Sequence, residues 1–168
     1  MEKYREESLW GKEQAVFAAA ILTVIVAWVG WETWLYVRGS GSIGGIIYIT
    51  AFFGLWFWRF AYRYTYILED DRLVVVTAGW GLERRLVIGL DGVESFANRY
   101  NKKFFRRTGI KKYVYRYSSG DPRPTRILVF KRGEKLQGLL FKASDNLIGQ
   151  LQELMPAKML DMEERIKG

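Results

Sequence analysis

Residues 99 to 117 read RYNKKFFRRTGIKKYVYRY, eight Lys or Arg and six Phe or Tyr without an acid. Cations at this density suit phosphates or carboxylates, and interleaved rings suit headgroups or bases. The candidate binding residues are therefore Arg99, Lys102, Lys103, Phe104, Phe105, Arg106, Arg107, Lys111 and Lys112. Other residue types with chemical potential are few. Asp70 with Asp71 and Asp91 with Glu94 are carboxylate pairs that in principle share a proton or a metal. Adjacent Asp residues after a strand are far more often turn formers. The chain has neither Cys nor His, which removes thiol nucleophiles, disulfides, the usual zinc sites and the commonest general acid or base. The fragments GSGSIGG and TAGWGLE share only glycine content with phosphate-cradling loops. No reaction is proposed from these residues, and no catalytic, cofactor or metal position is assigned.

The elements that must carry the basic stretch follow from an uneven composition. Residues 1 to 62 hold five basic and five acidic residues, and 63 to 168 hold 21 and 13, so the whole net charge of +8 lies in the second part. Six of the seven Trp lie at or before Trp58. Gln14 to Trp31 and Gly39 to Trp58 are each free of charge and about the length that crosses a bilayer core as helix. Arg38 and the Gly39 to Ser42 turn separate them, which predicts a transmembrane hairpin over 14–62 after a cytoplasmic segment at 1–13. A cleaved signal peptide fits poorly, because mixed charge precedes the first run and no small-x-small site follows. Lys3, Arg5 and Lys12 before the spans and Arg59, Arg63 and Arg72 after them, against Arg38 alone in the loop, place both termini in the cytoplasm.

Aromatic residues gather at the two expected boundaries: Trp28, Trp31, Trp34 and Tyr36 at one, and Trp10, Trp56, Trp58 and Tyr62 at the other. Glu32 falls inside the outer belt, where an acid marks a transport path, a partner contact or a side chain reaching water. A transport path needs more polar groups than Glu32 and Thr23 supply. Gly41 and Gly45 have the small-xxx-small spacing that lets a neighbouring helix come close.

Beyond Arg63 the pattern becomes short Val, Ile and Tyr runs broken by turn residues. YTYIL, RLVVVTA and LERRLVI read as a meander with turns at Glu69 to Asp71 and Gly79 to Gly81. VESFANRY, a hairpin of KYVYRY with RILVF across the loop SSGDPRPT, and KLQGLLF complete about seven strands. Ser144 is placed to cap a helix over Asp145 to Met155 with Leu147, Ile148, Leu151 and Leu154 on its buried face. Pro156 interrupts that helix or begins a second one toward Lys167. The expected fold is a membrane α-helical hairpin plus an α+β cytoplasmic domain over 63–155, a curved antiparallel sheet or partly open barrel capped by its helix. Residues 156–168 are left as a tail or short helix.

YTYIL, EDD, RLVVVTAG, RRLVIGLDGVESF and FKASDNLIGQLQEL together resemble the bacterial PH-like domain families, in which such a domain follows paired transmembrane helices. Gly89 stands where those families usually have Pro. The resemblance implies a PH-like domain, a multi-pass protein of the bacterial cell membrane, and no catalytic residues or cofactor. It does not carry phosphoinositide binding here, because the first hairpin turn is Glu69, Asp70, Asp71 with Arg72 alone following. The expected function is non-enzymatic: the domain docks its basic stretch on an anionic leaflet or on an acidic face of a membrane-protein partner, as scaffold or accessory subunit. A homo-oligomer is a further expected state. The alternatives are a bacteriocin self-immunity protein, by the same resemblance, and a membrane-tethered nucleic-acid binder. The last lacks an RNP-type strand or a GxxG clamp. A solvated positive face that only sets topology has the same composition.

Overall fold

The computed structural model describes residues 2–79, 81–102, 109–110, 112–117 and 120–160. Among them are nine strands and three α-helices: β1 Glu2–Glu7, α1 Lys12–Val37, α2 Ile43–Phe60, β2 Arg63–Glu69, β3 Arg72–Gly79, β4 Leu82–Gly89, β5 Val93–Ala97, β6 Lys112–Arg116, β7 Thr125–Arg132, β8 Lys135–Lys142, α3 Asp145–Leu154 and β9 Met159–Leu160.

The two apolar runs form the expected antiparallel helices. At 1.5 Å per residue α1 is about 39 Å long and α2 about 27 Å, against a hydrocarbon core near 30 Å. Both are long and apolar enough to cross a membrane. They touch through small residues: Ala18 is buried beneath Trp56, whose Nε1 donates to the Ala18 carbonyl at 2.9 Å, and the Trp28 and Phe52 rings lie 5.9 Å apart. A Cβ on Gly45 would fall on the Glu32 carboxyl, so Gly45 lets α2 approach α1, whereas Gly41 lies before α2 in the loop, against the Tyr36 ring, and the paired spacing read in the sequence is not presented by one helix. Most of the remaining helix surface carries exposed Val, Ile, Phe and Trp.

The sheet domain differs from expectation at its start. The segment at 1–13, read as lying apart from the domain, contributes β1, which pairs antiparallel with β2 in the register Glu6 with Tyr66 and Tyr4 with Leu68. The hairpin is thus inserted between two adjacent strands of one sheet. EKYREE has the composition of an exposed segment, but on an edge strand charges are expected: they hinder pairing with foreign strands, while Tyr4 and Glu6 point inward. The first sheet has the order β1-β2-β3-β4 and the second β6-β8-β7-β5-β9. The turns at Glu69 to Asp71 and Gly79 to Gly81 are formed as expected, the second with Gly81 at φ 73°.

The hairpin of KYVYRY with RILVF is not formed. β6 pairs in parallel with β8, and β7 lies between β8 and β5. RILVF is the most buried run of the chain and takes the central place in its sheet, with both edges satisfied. The loop after β6 therefore crosses the end of β8. There Lys142 Nζ donates to the Asp121 carbonyl at 2.6 Å and lies 5.7 Å over the Tyr117 ring.

The two sheets face each other across one core that includes Tyr66, Leu73, Phe96, Leu128 and Phe141, and α3 adds Leu147, Ile148 and Leu151 to it. Ser144 caps α3, accepting from Leu147 N at 3.3 Å. Pro156 ends the helix path in a 3-10 turn, after which β9 pairs with β5, so the tail begins inside the sheet. Residues 161–168 lie outside the described residues.

Candidate functional site

The helices leave the sheet domain at one end, where part of the described cations stand; Lys3, Arg72, Lys131, Arg132 and Lys135 lie at the turns of the opposite end. Ser8 N donates to the Tyr64 carbonyl at 2.7 Å and Tyr64 N to Ser8 Oγ at 3.0 Å, which clamps the outgoing and returning chains together. Gly11 N donates to the Gly120 carbonyl at 2.9 Å, and Leu9 N to Asp121 Oδ2 at 3.0 Å. Trp10 meets Phe60 edge-on at 6.3 Å, and Phe57 meets Tyr62 at 6.2 Å, closing the junction with aromatic contacts.

Beneath the junction lies a cluster of buried charges. Asp121 is fully buried; its carboxylate takes Arg123 Nε at 2.9 and 3.1 Å and Nη2 at 2.5 Å. Arg123 Nη1 donates to Glu6 Oε1 at 2.9 Å and Nη2 to the Glu7 carbonyl at 3.0 Å. Glu6 also accepts from Ser144 N at 3.0 Å, from the Ser144 hydroxyl and from Tyr4 OH at 3.2 Å. Burial lowers the Arg123 pKa, but the hydrogen bond and charge of Asp121, with Glu6, outweigh it and leave the guanidinium raised. This cluster joins β1, the loop after β6 and the start of α3, so it sets the position of the helix exit.

Around the exit stand Arg59, Arg63, Arg99, Arg116 and Lys142. Burial lowers the Lys142 pKa, the charge of Asp121 opposes it, and the charges of Arg59 and Arg123 add to the lowering. At Tyr64 burial raises the hydroxyl pKa and the Arg116 guanidinium opposes it. Arg99 belongs to this end because the next residue, Tyr100, donates its N–H to the Thr125 carbonyl at 2.9 Å, level with the start of β7. Buried Arg126 holds the Asn98 carbonyl and the Asp145 carboxylate, fixing the chain just before Arg99, which is exposed.

Of the residues expected from sequence, Arg99, Lys102 and Lys112 are described and exposed. Lys112 opens β6 opposite Gln137, four residues from Arg116 and so about 13 Å further from the helix exit. Lys103, Phe104, Phe105, Arg106, Arg107 and Lys111 lie outside the described residues. Tyr113 and Tyr117 pack on a second cluster around Ile127 and Leu140, while Tyr115 is 55% exposed. Arg116 and Lys142 were not singled out as site residues. Their signal was weak, because their place beside the exit comes from the parallel pairing of β6 with β8.

Three of the four carboxylates in these pairs, Asp70, Asp71 and Glu94, meet cations. Asp70 meets Lys3 at 3.2 Å, Arg72 bridges Glu69 at 2.7 Å and Asp71 at 3.1 Å, and Glu94 meets Lys131 at 2.6 Å. The hydrogen bond from Lys131 holds the Glu94 carboxyl below its usual value. Among the described residues, no three His, Cys, Asp or Glu stand together as a metal site. Comparison with protein-family models, with curated proteins and with solved structures finds no match to this chain.

Proposed function

We propose that the chain is an integral membrane protein that crosses the bilayer twice through α1 and α2, and that its sheet domain is a non-enzymatic, PH-like binding module. The module docks its exit-side cations on the anionic inner leaflet and serves there as a scaffold or accessory subunit. The observation that carries this reading is the insertion of the hairpin between β1 and β2, with Arg59, Arg63, Arg99, Arg116 and Lys142 at the same end. A domain tied to the membrane by two adjacent chain crossings presents that end to the headgroups. Cations close to an anionic leaflet gain about 1 kcal/mol each. The slight burial of the helices supports the membrane reading: 11% of the most apolar window of α1 and none of that of α2 is covered, whereas core helices of soluble proteins are mostly covered.

The absence of native Cys makes labelling direct. Ser42→Cys at the hairpin tip and Asp71→Cys in the β2–β3 turn are expected to react with impermeant thiol reagents from opposite faces of sealed vesicles. Reaction of both from one face refutes the double crossing. For docking, a fluorophore on Asn101→Cys is expected to be shielded in vesicles rich in anionic lipid. The shielding should disappear in 0.5 M salt and in the Arg63→Glu/Arg99→Glu/Lys102→Glu variant. Shielding that survives both treatments sinks the leaflet reading. Shielding found only in native membranes transfers the surface to a protein partner.

A further inference from the structure

Among the described residues, five large apolar side chains outside α1 and α2 are exposed: Leu9, Trp10, Leu82, Val87 and Tyr115. They are not scattered over the domain. Leu9 and Trp10 precede α1 at the clamp, Tyr115 stands one residue before Arg116, and Leu82 opens β4 at the same end. Val87 alone lies away from it, five residues and about 17 Å further along β4.

The level of Leu82 follows from its partner. Leu82 pairs with Gly79, the last residue of β3, and a Cβ on Gly79 would meet the Tyr62 ring at 2.8 Å and the Ala61 carbonyl oxygen at 3.1 Å. Ala61 is the residue that ends α2. Opposed residues of antiparallel strands lie about 5 Å apart, so Leu82 stands one strand spacing beyond the contact with the end of α2. Alternation puts Leu82, Arg84, Leu86 and Ile88 on one face of β4. Ile88 is buried in the core and Leu86 packs against it, so this face is the inner one. Leu82 shares it and is nevertheless 62% exposed, because β4 runs past the end of the core toward the helices. What meets an inner-face leucine at this level is the bilayer that α2 leaves. Trp58, three residues before Ala61, is exposed as well. Arg84 is exposed about 7 Å further from the exit, and its long stem lets the guanidinium reach headgroup phosphates.

We infer that the β3–β4 end of the first sheet is a second membrane contact, in which Leu82 enters the acyl boundary of the leaflet as an apolar wedge and Arg84 stays at the phosphates. The contact belongs to the first sheet, whereas Arg99 follows β5 of the second. Its centre is apolar, so it takes lipid of any headgroup charge and does not need the anionic surface that the cations seek. The inference rests on the double crossing proposed above.

The test uses the full chain in sealed phosphatidylcholine vesicles, with a fluorophore on Glu83→Cys and acrylamide, an uncharged quencher, on the side of the sheet domain. The fluorophore is expected to be protected in this uncharged lipid and to stay so in 0.5 M salt, which releases a fluorophore on Asn101→Cys from anionic vesicles. Leu82→Ser should shift the ratio of protected to accessible label about tenfold toward accessible, the worth of the exposed part of one leucine side chain. Leu82→Phe should keep the protection, and Val87→Ser should leave the ratio unchanged. A label as open to acrylamide as one on Val87→Cys overturns the inference, as does protection that Leu82→Ser leaves intact. Protection that needs anionic lipid and vanishes in salt also overturns it, since charge alone then holds this end. If Ser42→Cys and Asp71→Cys react from one face of the vesicles, the double crossing and this contact fall together; reaction from opposite faces with an open label at Glu83→Cys overturns this contact alone.

Discussion

Arg123→Ala tests the buried charge cluster that fixes the helix exit. The substitution removes five hydrogen bonds from the guanidinium and leaves the carboxylates of Asp121, fully buried, and Glu6, 8% exposed, without their cation. Breaking a buried pair by deleting one partner costs about 3–5 kcal/mol. The lower end applies here, because Asp121 keeps the N–H of Leu9 and the N–H of residue 123, and Glu6 keeps Ser144 and Tyr4. A loss of about 3 kcal/mol in a domain of about 100 residues lowers Tm by roughly 15 °C. The assay is urea pulse proteolysis of the full chain in detergent, with Arg85→Ala as the control. Arg85 and Glu83 form a pair 69% and 50% exposed, worth at most about 1 kcal/mol. In a cycle with Glu6→Gln the two losses should fall short of additivity by about 1 kcal/mol or more, as they share one contact. If Arg123→Ala lies within about 0.5 kcal/mol of Arg85→Ala, or the cycle is additive, the cluster does not hold β1 to the domain.

Burial raises the hydroxyl pKa of Tyr66 above its ordinary 10.0, and that of Tyr64 as well. The folded state thus keeps protons that the unfolded chain loses above pH 10, so their contribution is intact below that pH and is lost as pH rises beyond it. Urea midpoints should therefore fall between pH 10 and 11, with a shallower fall in Tyr66→Phe; equal slopes refute the assignment. In the hairpin, Ala18→Leu should cost about 1–3 kcal/mol by overpacking beneath Trp56, and Trp56→Phe only about 0.6 kcal/mol for its hydrogen bond. Loss of helicity in mixed SDS micelles measures both, and the reverse order refutes packing through small residues as the main tie.

Much of the architecture was legible because it depends on local periodicity. Charge-free runs of about 20 residues make α1 and α2 wherever the chain goes, and alternation bounded by EDD or GWG marks β2, β3 and β4 without knowledge of their partners. Ser144 and the Leu147, Ile148, Leu151 spacing likewise announce α3. The basic stretch was legible as composition alone. Its division between Arg99 at the exit end and Lys112 at the far end was not, since that depends on strand pairing.

Sequence by itself determined the three helices, the strands from β2 to β8 and where the net charge lies, because propensity and periodicity act over a few residues. Tertiary structure decided that charged EKYREE is an edge strand, that β6 runs parallel to β8 instead of turning into β7, and that Arg116 and Lys142 stand beside Arg59. It also decided that Glu32 lies against Gly45 with one oxygen unpaired. Each of these is settled by which distant element offers a core face, an open edge or a missing side chain, and sequence separation carries no record of that.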